Sequence, residues 1–338
     1  MKSKTRAKAI VLFSGGLDSR LAVCLLKEQG IEMKALHFKL PFGSGCCNDT
    51  MCNFRFSQKE LLPLEIIDCT SGKSFQEYME IVRKPKYGHG SALNPCIDCR
   101  IFMLKKAKEL MKKENADFIV TGEVLNERPM SQHRSAMALV EGESGLKGKL
   151  LRPLSAKLLP ETEAEKKGLV DRKKLLDIQG RSRKIQIELA KKFEITYPSP
   201  AGGCLLCEKE FCEKLSDILK QRKISEKDIA LLKIGRHFKL GKARIIVGRN
   251  QQENKQLLSL KSAKNLVFEV PKVGSPITLL ISKKPSQKEI EAAALFTARY
   301  SDSDKNEGIR VQFGQKKLDK SIKVKEVLTG INKLAIIK

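Results

Sequence analysis

The chain has 338 residues, 41% hydrophobic and 31% charged, the make-up of a globular protein with room for two domains. No apolar stretch approaches the roughly 20 residues a membrane span needs. The basic start MKSKTRAK leads into an apolar run too short for a signal peptide, so a cytoplasmic protein is expected. The net charge is +26, of which residues 213–338 carry +15. Such a surplus favours a polyanionic partner, because each neutralised phosphate releases counterions; a merely basic surface is the alternative. Trp is absent and aromatics make up 5%, so base-stacking platforms are not advertised.

Residues 8–13, KAIVLF, predict a buried strand, and SRLAVCLLKEQG predicts a helix ending at Gly30. Further strands are expected over 31–40, 62–70, 116–123 and 148–155, with a long helix over 101–116. Residues 161–195 read as helical and charged, 196–207 as a Pro/Gly-rich break, and 208–234 as a helical connector. From Gly235 the pattern turns to short β-like segments at 235–240, 243–250, 265–271 and 277–284. A helix with Ser286 or Gln287 near its start follows, then three last segments at 309–314, 322–327 and 334–338. Strands alternating with helices predict an α/β fold with a doubly wound parallel sheet, followed by a smaller α+β domain. The expected divisions are 1–210, a connector at 211–232, and 233–338. Ligands of doubly wound sheets bind at the carboxyl ends of the strands. His37, Asp68 and the run Thr121-Gly122-Glu123 should lie there, beside the loop after the first strand.

That loop reads Ser14-Gly15-Gly16-Leu17-Asp18-Ser19. Glycines let the backbone approach a ligand, and free N–H groups at a helix start favour anions. Two hydroxyls and an acid exceed what a plain turn needs. No Gly-Lys-Ser/Thr follows, so this is not the usual lysine-bearing phosphate loop. Asp18 in that place suits Mg²⁺. The stretch resembles the SGGxDS loop of the PP-loop ATP pyrophosphatases, which have the adenine nucleotide alpha hydrolase (HUP-like) fold. The resemblance implies cleavage of ATP between the α- and β-phosphates. A carbonyl oxygen is adenylated and a nucleophile then displaces AMP. It implies nucleotide contacts at Ser14, Gly15, Gly16, Leu17, Asp18, Ser19, Thr121 and Gly122, and at His37, for which a packed or solvated ring is the alternative.

Ten cysteines are present. Cys24 and Cys69 read as core residues. NPCIDCR places Asn94 as N-cap, Pro95 at the first helical position, and Cys96 and Cys99 in the first turn. A helix N-terminus and the adjacent Arg100 should make both thiols acidic. A second pair, Cys204 and Cys207, lies in GGCLLC, with Cys212 beyond. Unrelated buried thiols, a Cys₄ zinc site, and iron–sulfur or persulfide chemistry all remain open; the first pair's place inside the loop-bearing domain favours the last. The chain resembles PP-loop enzymes that thiolate tRNA. The resemblance implies a 4Fe-4S cluster held by Cys96, Cys99 and Cys204 or Cys207, or a persulfide on one of them. Cys46, Cys47 and Cys52 read equally as a sulfur-delivery loop or a plain loop.

Arg128, Ser131 and Gln132 are contact candidates in the loop after the fourth strand, and Arg152, Ser155 and Lys157 could face phosphates or RNA. Residues 233–338 resemble the NFACT RNA-binding module, chiefly through Val247-Gly248-Arg249-Asn250 and Asn254. Arg236, Lys239, Lys242, Arg244 and Arg249 cluster in the same span. Together these resemblances imply an ATP-dependent tRNA sulfurtransferase making 2- or 4-thiouridine. Its catalytic residues would be Asp18, Cys96, Cys99 and Cys204, and its sulfur would come from a cysteine desulfurase or free sulfide. An ammonia-using amide or amidine ligase and a non-catalytic, nucleotide-sensing RNA-binding factor are the alternatives.

Overall fold

The computed structural model describes residues 6–43, 50–198, 203–304 and 308–325. Two compact units divide the chain, residues 1–212 and 213–338.

In the first unit Lys8–Leu12 form β1, and a short loop leads into α1 (Leu17–Lys27). There follow β2 (Glu32–Lys39), α2 (Thr50–Glu60), β3 (Leu64–Asp68), α3 (Gly72–Arg83), α4 (Cys96–Lys113), β4 (Phe118–Thr121), α5 (Arg134–Glu143), β5 (Leu150–Leu151), α6 (Glu163–Lys166) and α7 (Lys184–Lys192). The five strands pair in the order β3-β2-β1-β4-β5, all parallel. β1 is central and Ala9, Ile10 and Val11 are fully buried, which is why its sequence is unbroken apolar rather than alternating. Strand order reverses between β1 and β4, so the carboxyl ends of those two strands flank the crevice where such folds bind ligands. Val11, Leu21, Leu25, Ala35, Val120, Leu154 and Ile178 belong to one core cluster.

Several elements differ from expectation. The stretch 161–195 is not one helix. Thr162 and Glu165 form a capping box that opens α6, and Gly168, at φ +67°, ends it; α7 starts only at Lys184. β5 shrinks to two residues because Pro153 cannot extend a ladder. Helices α2, α3 and α5 were not anticipated. For α3 the signal was present: Phe75, Tyr78, Met79 and Val82 recur at helical spacing and are all buried.

The boundary between the units falls within α8 (Lys209–Leu219). The second unit continues with α9 (Glu226–Leu232), β6 (Arg236–Leu240), β7 (Ala243–Val247), α10 (Gln251–Leu260), β8 (Leu266–Glu269), β9 (Thr278–Ile281), α11 (Gln287–Arg299), β10 (Ile309–Gly314) and β11 (Lys320–Val324). Its strands form an antiparallel sheet in the order β11-β10-β8-β9-β7-β6. Period-two alternation gives the sheet two buried faces. Ile245, Val247, Phe268 and Leu280 cluster with the alanine-rich face of α11, whereas Ile246, Val267 and Leu279 cluster with Leu231 and Leu257. Ser286 is the N-cap of α11, in a capping box with Glu289. Helix α10 was not anticipated, and the segment expected at 334–338 lies outside the described residues.

Candidate functional site

The loop between β1 and α1 opens at the β1/β4 crevice. Gly15 has φ +80°, and a Cβ there would meet Asn53 Oδ1 at 1.6 Å, so only glycine fits. Gly16 is the N-cap of α1 and provides no side-chain cap. The helix therefore starts with N–H groups that no side chain satisfies, an anion-favouring arrangement. Ser14 is exposed, and its hydroxyl lies 3.4 Å from Gly16 N and 3.4 Å from Ser19 Oγ. Ser19 Oγ donates to Gly16 O at 2.9 Å. Leu17 brings only its backbone to the loop; its side chain is part of the core.

Asp18 is largely buried, and its Oδ1 has no hydrogen-bond partner among the described residues. Burial, and to a lesser degree Glu127, pushes its carboxyl up to about 6 against the opposing charges of Arg183 and Arg128. An orphaned carboxylate oxygen at a loop with open N–H groups fits a cation such as Mg²⁺ carried by a phosphate ligand. His37 is buried, with Nδ1 on the carbonyl of Phe13 at 2.9 Å and Asn53 Nδ2 at 3.2 Å. Its ring thus braces the strand end leading into the loop.

From β4, Gly122 lies against the loop so closely that a Cβ would sit 2.6 Å from Asp18 C and Ser19 N. Thr121 Oγ1 donates to Glu123 Oε2 at 3.0 Å. Glu123 is itself buried. Burial would raise its carboxyl, but Arg100 and Arg152 hold it below the usual carboxylate range. Arg100 Nε lies 3.0 Å from Oε1 and Arg152 Nε lies 3.0 Å from Oε2. Arg152 also pairs with Glu141 at 3.0 Å and is 4% exposed, so it faces neither phosphate nor RNA. Ser155 is likewise a core residue: it accepts from Leu125 N and donates to Ile178 O. Lys157 and Arg128 are exposed, whereas Ser131 and Gln132 are buried and Gln132 Oε1 closes the loop through Arg128 N at 3.0 Å. Asp68 caps Thr70 and pairs with Lys39 on the outer side of the sheet, two strands from the crevice.

Backbone bonds bring the two cysteine pairs together. Leu205 N donates to Phe42 O at 2.9 Å, Leu93 N donates to Leu206 O at 3.1 Å, and Gly43 and Cys204 form an antiparallel bridge. The segment 203–207 is thereby laid against both the chain beyond β2 and the chain before α4. Cys204 is in electrostatic reach of Cys96, Cys99 and Cys207. Arg128 is in such reach of both Asp18 and Cys207, so loop and thiols share one edge of the sheet.

Two details of the first pair correct the expectation. Pro95, not Asn94, is the N-cap of α4. Asn94 is instead buried and donates from Nδ2 to Cys96 Sγ at 3.2 Å. Cys99 is not an acidic thiol. Burial raises it, outweighing Tyr78, whose hydroxyl is 3.3 Å from the sulfur, and Arg100, whose guanidinium is engaged by Glu123. Burial likewise pushes Cys204 up to about 12 and raises Cys207. Cys24 and Cys69 are buried core residues, and Cys212 is buried with its thiol 3.2 Å from Leu206 O. Cys46 and Cys47 lie outside the described residues; Cys52 belongs to α2.

Among the described residues, no three or more Cys, His, Asp or Glu side chains are placed to hold a metal ion. Cys96, Cys99, Cys204 and Cys207 offer soft thiol donors, which both zinc and iron–sulfur groups take. A cleft of 510 Å³ opens at the opposite, amino-terminal edge of the sheet, where Lys8, Lys27 and Lys34 are each paired with glutamate. No described helix is long and apolar enough to cross a membrane.

No sequence signal marks Arg20. It is buried beneath the loop, with Nε on Gly15 O at 2.7 Å, Nη1 on Thr196 O, and Cζ 4.7 Å above the Phe56 ring.

Fold and site define a parallel α/β domain with a phosphate-type loop at its switch point, joined to an antiparallel α+β domain. Residues 7–147 match the family model of the tRNA methyl transferase HUP domain, and residues 235–330 that of the NFACT protein RNA binding domain. The chain is 33% identical over 132 residues to the tRNA-specific 2-thiouridylase MnmA of Petrotoga mobilis, covering 35% of each chain. It is 29% identical over 134 residues to a probable tRNA sulfurtransferase of Methanosarcina mazei, covering 36% of this chain and 29% of that one. The chain therefore spans about a third of the length of these curated relatives. A 4-thiouridine synthetase solved with RNA and bound ATP aligns at 18% identity and a TM-score of 0.42, covering 76% of this chain and 53% of that one.

Proposed function

We propose that the chain is an ATP-dependent RNA sulfurtransferase that replaces a uridine carbonyl oxygen with sulfur, with tRNA as its substrate. The observation that carries the reading is the gathering of Cys96, Cys99, Cys204 and Cys207 on the sheet edge that also holds Asp18 with its unpartnered oxygen. The HUP match, the relatives named as thiouridylase and sulfurtransferase, and the RNA-binding-domain match support it.

In this reading ATP lies with its β- and γ-phosphates on the loop. The N–H groups of residues 15–19 and the Ser14 hydroxyl bind the phosphate oxygens, and Asp18 would hold Mg²⁺, which would offset phosphate charge when bound. A uracil carbonyl oxygen attacks the α-phosphorus, and pyrophosphate leaves into charge stabilisation already in place. Sulfide-level sulfur then attacks the adenylated carbon, and the former carbonyl oxygen departs with AMP. The balance is one ATP and one sulfide consumed for each AMP, pyrophosphate and thiouridine formed. A 4Fe-4S cluster held by three of Cys96, Cys99, Cys204 and Cys207 would supply soft, nucleophilic sulfur there. Asn94 and Tyr78 hold the first two sulfurs in place. A cysteine desulfurase or free sulfide would replenish the sulfur.

The test is an anaerobic reaction of the reconstituted full chain with ATP, Mg²⁺, sulfide and unmodified tRNA. Nucleoside mass spectrometry should find thiouridine, with one pyrophosphate released per thiouridine. Cys99→Ala should keep ATP binding and lose at least about 100-fold in thiolation. Pyrophosphate release with an aminated product, or no pyrophosphate release at all, would sink the proposal.

A further inference from the structure

The loop lacks the lysine that ordinary phosphate loops place on their ligand, yet a cation does lie against it from behind. We infer that Arg20 is a positioning residue for pyrophosphate, acting through the Gly15–Gly16 peptide. This rests on the nucleotide reading above and names what holds that loop in a binding-competent form.

Three observations carry it. Arg20 is 2% exposed although it is the residue after the SGGLDS loop and sits on the first turn of α1, so the fold brings a guanidinium into the interior there. Its Nε donates to the Gly15 carbonyl at 2.7 Å. In a trans peptide the carbonyl of one residue and the N–H of the next point in opposite directions. Holding the Gly15 carbonyl inward therefore turns the Gly16 N–H outward, toward the exposed hydroxyl of Ser14, 3.4 Å away. A glycine pair has little intrinsic preference for one orientation of this peptide, and Gly15 already stands at φ +80°. The guanidinium fixes the orientation from behind, and the longer contact of Ser14 Oγ with the Gly16 N–H favours the same one from the front.

The second arm of the fork reaches the carbonyl of Thr196. Phe56, stacked on Phe13 at 5.3 Å, lies under the guanidinium and keeps it from moving away. A fork that satisfies two carbonyls while stacking on a ring is a task for arginine; the single ammonium of lysine is a point donor. The charge also faces the phosphate site from behind the peptide, where it offsets part of the negative charge a bound pyrophosphate brings.

The test measures binding of inorganic pyrophosphate, ATP and AMP to the full chain by calorimetry in Mg²⁺, for wild type, Arg20→Gln and Arg20→Lys, with thermal unfolding alongside. Arg20→Gln is expected to weaken pyrophosphate and ATP together by at least about tenfold while AMP, which lacks the β- and γ-phosphates, changes less than about twofold. Arg20→Lys should recover only part of the loss. If Arg20→Gln does not fold, a pyrophosphate affinity in Arg20→Lys at least about fivefold below wild type with AMP unchanged supports the assignment, and an unchanged one overturns it. Equal weakening of all three ligands in step with lost thermal stability would mean a structural role only and overturn it. A wild-type chain that binds neither ATP nor pyrophosphate overturns the nucleotide reading, and this assignment with it. A wild type that binds both, with Arg20→Gln binding as well, overturns the assignment alone.

Discussion

His237 lies half-buried on β6, where Nε2–H donates to the carbonyl of Ile234 at 2.9 Å. Burial pushes its imidazole down to about 4; Lys214, Arg244 and Arg249 push the same way, and the Ile234 carbonyl opposes them. Between pH 6.5 and 4 the unfolded chain binds a proton here that the folded chain refuses. Stability contributed by this residue is therefore complete above pH 6.5 and is lost as pH falls toward 4. Relative to His237→Gln, wild type should lose about 1 to 2 kcal/mol more between pH 7 and pH 5, read from urea unfolding. Parallel losses in the two proteins would show that another group sets the acid limb. Asp18 has the same cause, burial disfavouring the charged form, and the opposite consequence. Its carboxyl is raised because burial, and to a lesser degree Glu127, outweighs Arg183 and Arg128, so the stability it contributes is lost as pH rises toward about 6. Arg20 could not be read from residue type, because a charged side chain is usually solvated, and Glu123, placed at the strand edge by the sequence, gains its ion-pairing role only through burial.

At the scale of elements, β4 and α1 meet at Gly122. A methyl group there would press on the backbone of Asp18 and Ser19 at 2.6 Å, and neither contact is the tip of a flexible side chain. Gly122→Ala is therefore expected to destabilise the first unit by about 1 to 3 kcal/mol and to weaken ATP binding more than about tenfold. Thermal melts and ATP titration of the purified variant check both numbers. Wild-type ATP affinity in the variant would show that the loop can shift without cost. The start of α4 teaches a related point. NPCIDCR carries the right residues for a helix start, yet Asn94 turns to the sulfur of Cys96 and Pro95 takes the cap. Likewise the helix N-terminus and Arg100 were expected to acidify Cys99. Desolvation outweighs them, because the thiol lies beside Tyr78 and Glu123 has claimed the arginine.

For the whole molecule, the proposed function makes the surplus of +26 the driving term for association with RNA. Affinity for unmodified tRNA, followed by fluorescence anisotropy, is expected to fall about 100-fold or more between 50 and 200 mM salt, through release of counterions from contacted phosphates. Affinity indifferent to salt would remove charge as the driving term. The first unit's strand sequence, the loop and the change of pattern at Gly235 were all legible along the chain, since each is a local signal: periodicity, glycine chemistry, composition. Helices α2, α5 and α10 were not, and the charged stretch 161–195 was misread, because polar residues fit helix and loop alike until packing selects between them.

The sequence by itself determined the parallel sheet and the place of the SGGLDS loop after its first strand, and it singled out the two cysteine pairs as candidates for chemistry. Only the tertiary structure decided that 203–207 lies against Phe42, Gly43 and Leu93, bringing together thiols about a hundred residues apart. It also decided that Arg152 is a buried partner of Glu123 and that Arg20 stands behind the loop. The reason is physical. Backbone propensity and hydrophobic period act over a few residues and are written locally. Desolvation, ion pairing and the approach of distant segments depend on what the fold places next to a side chain.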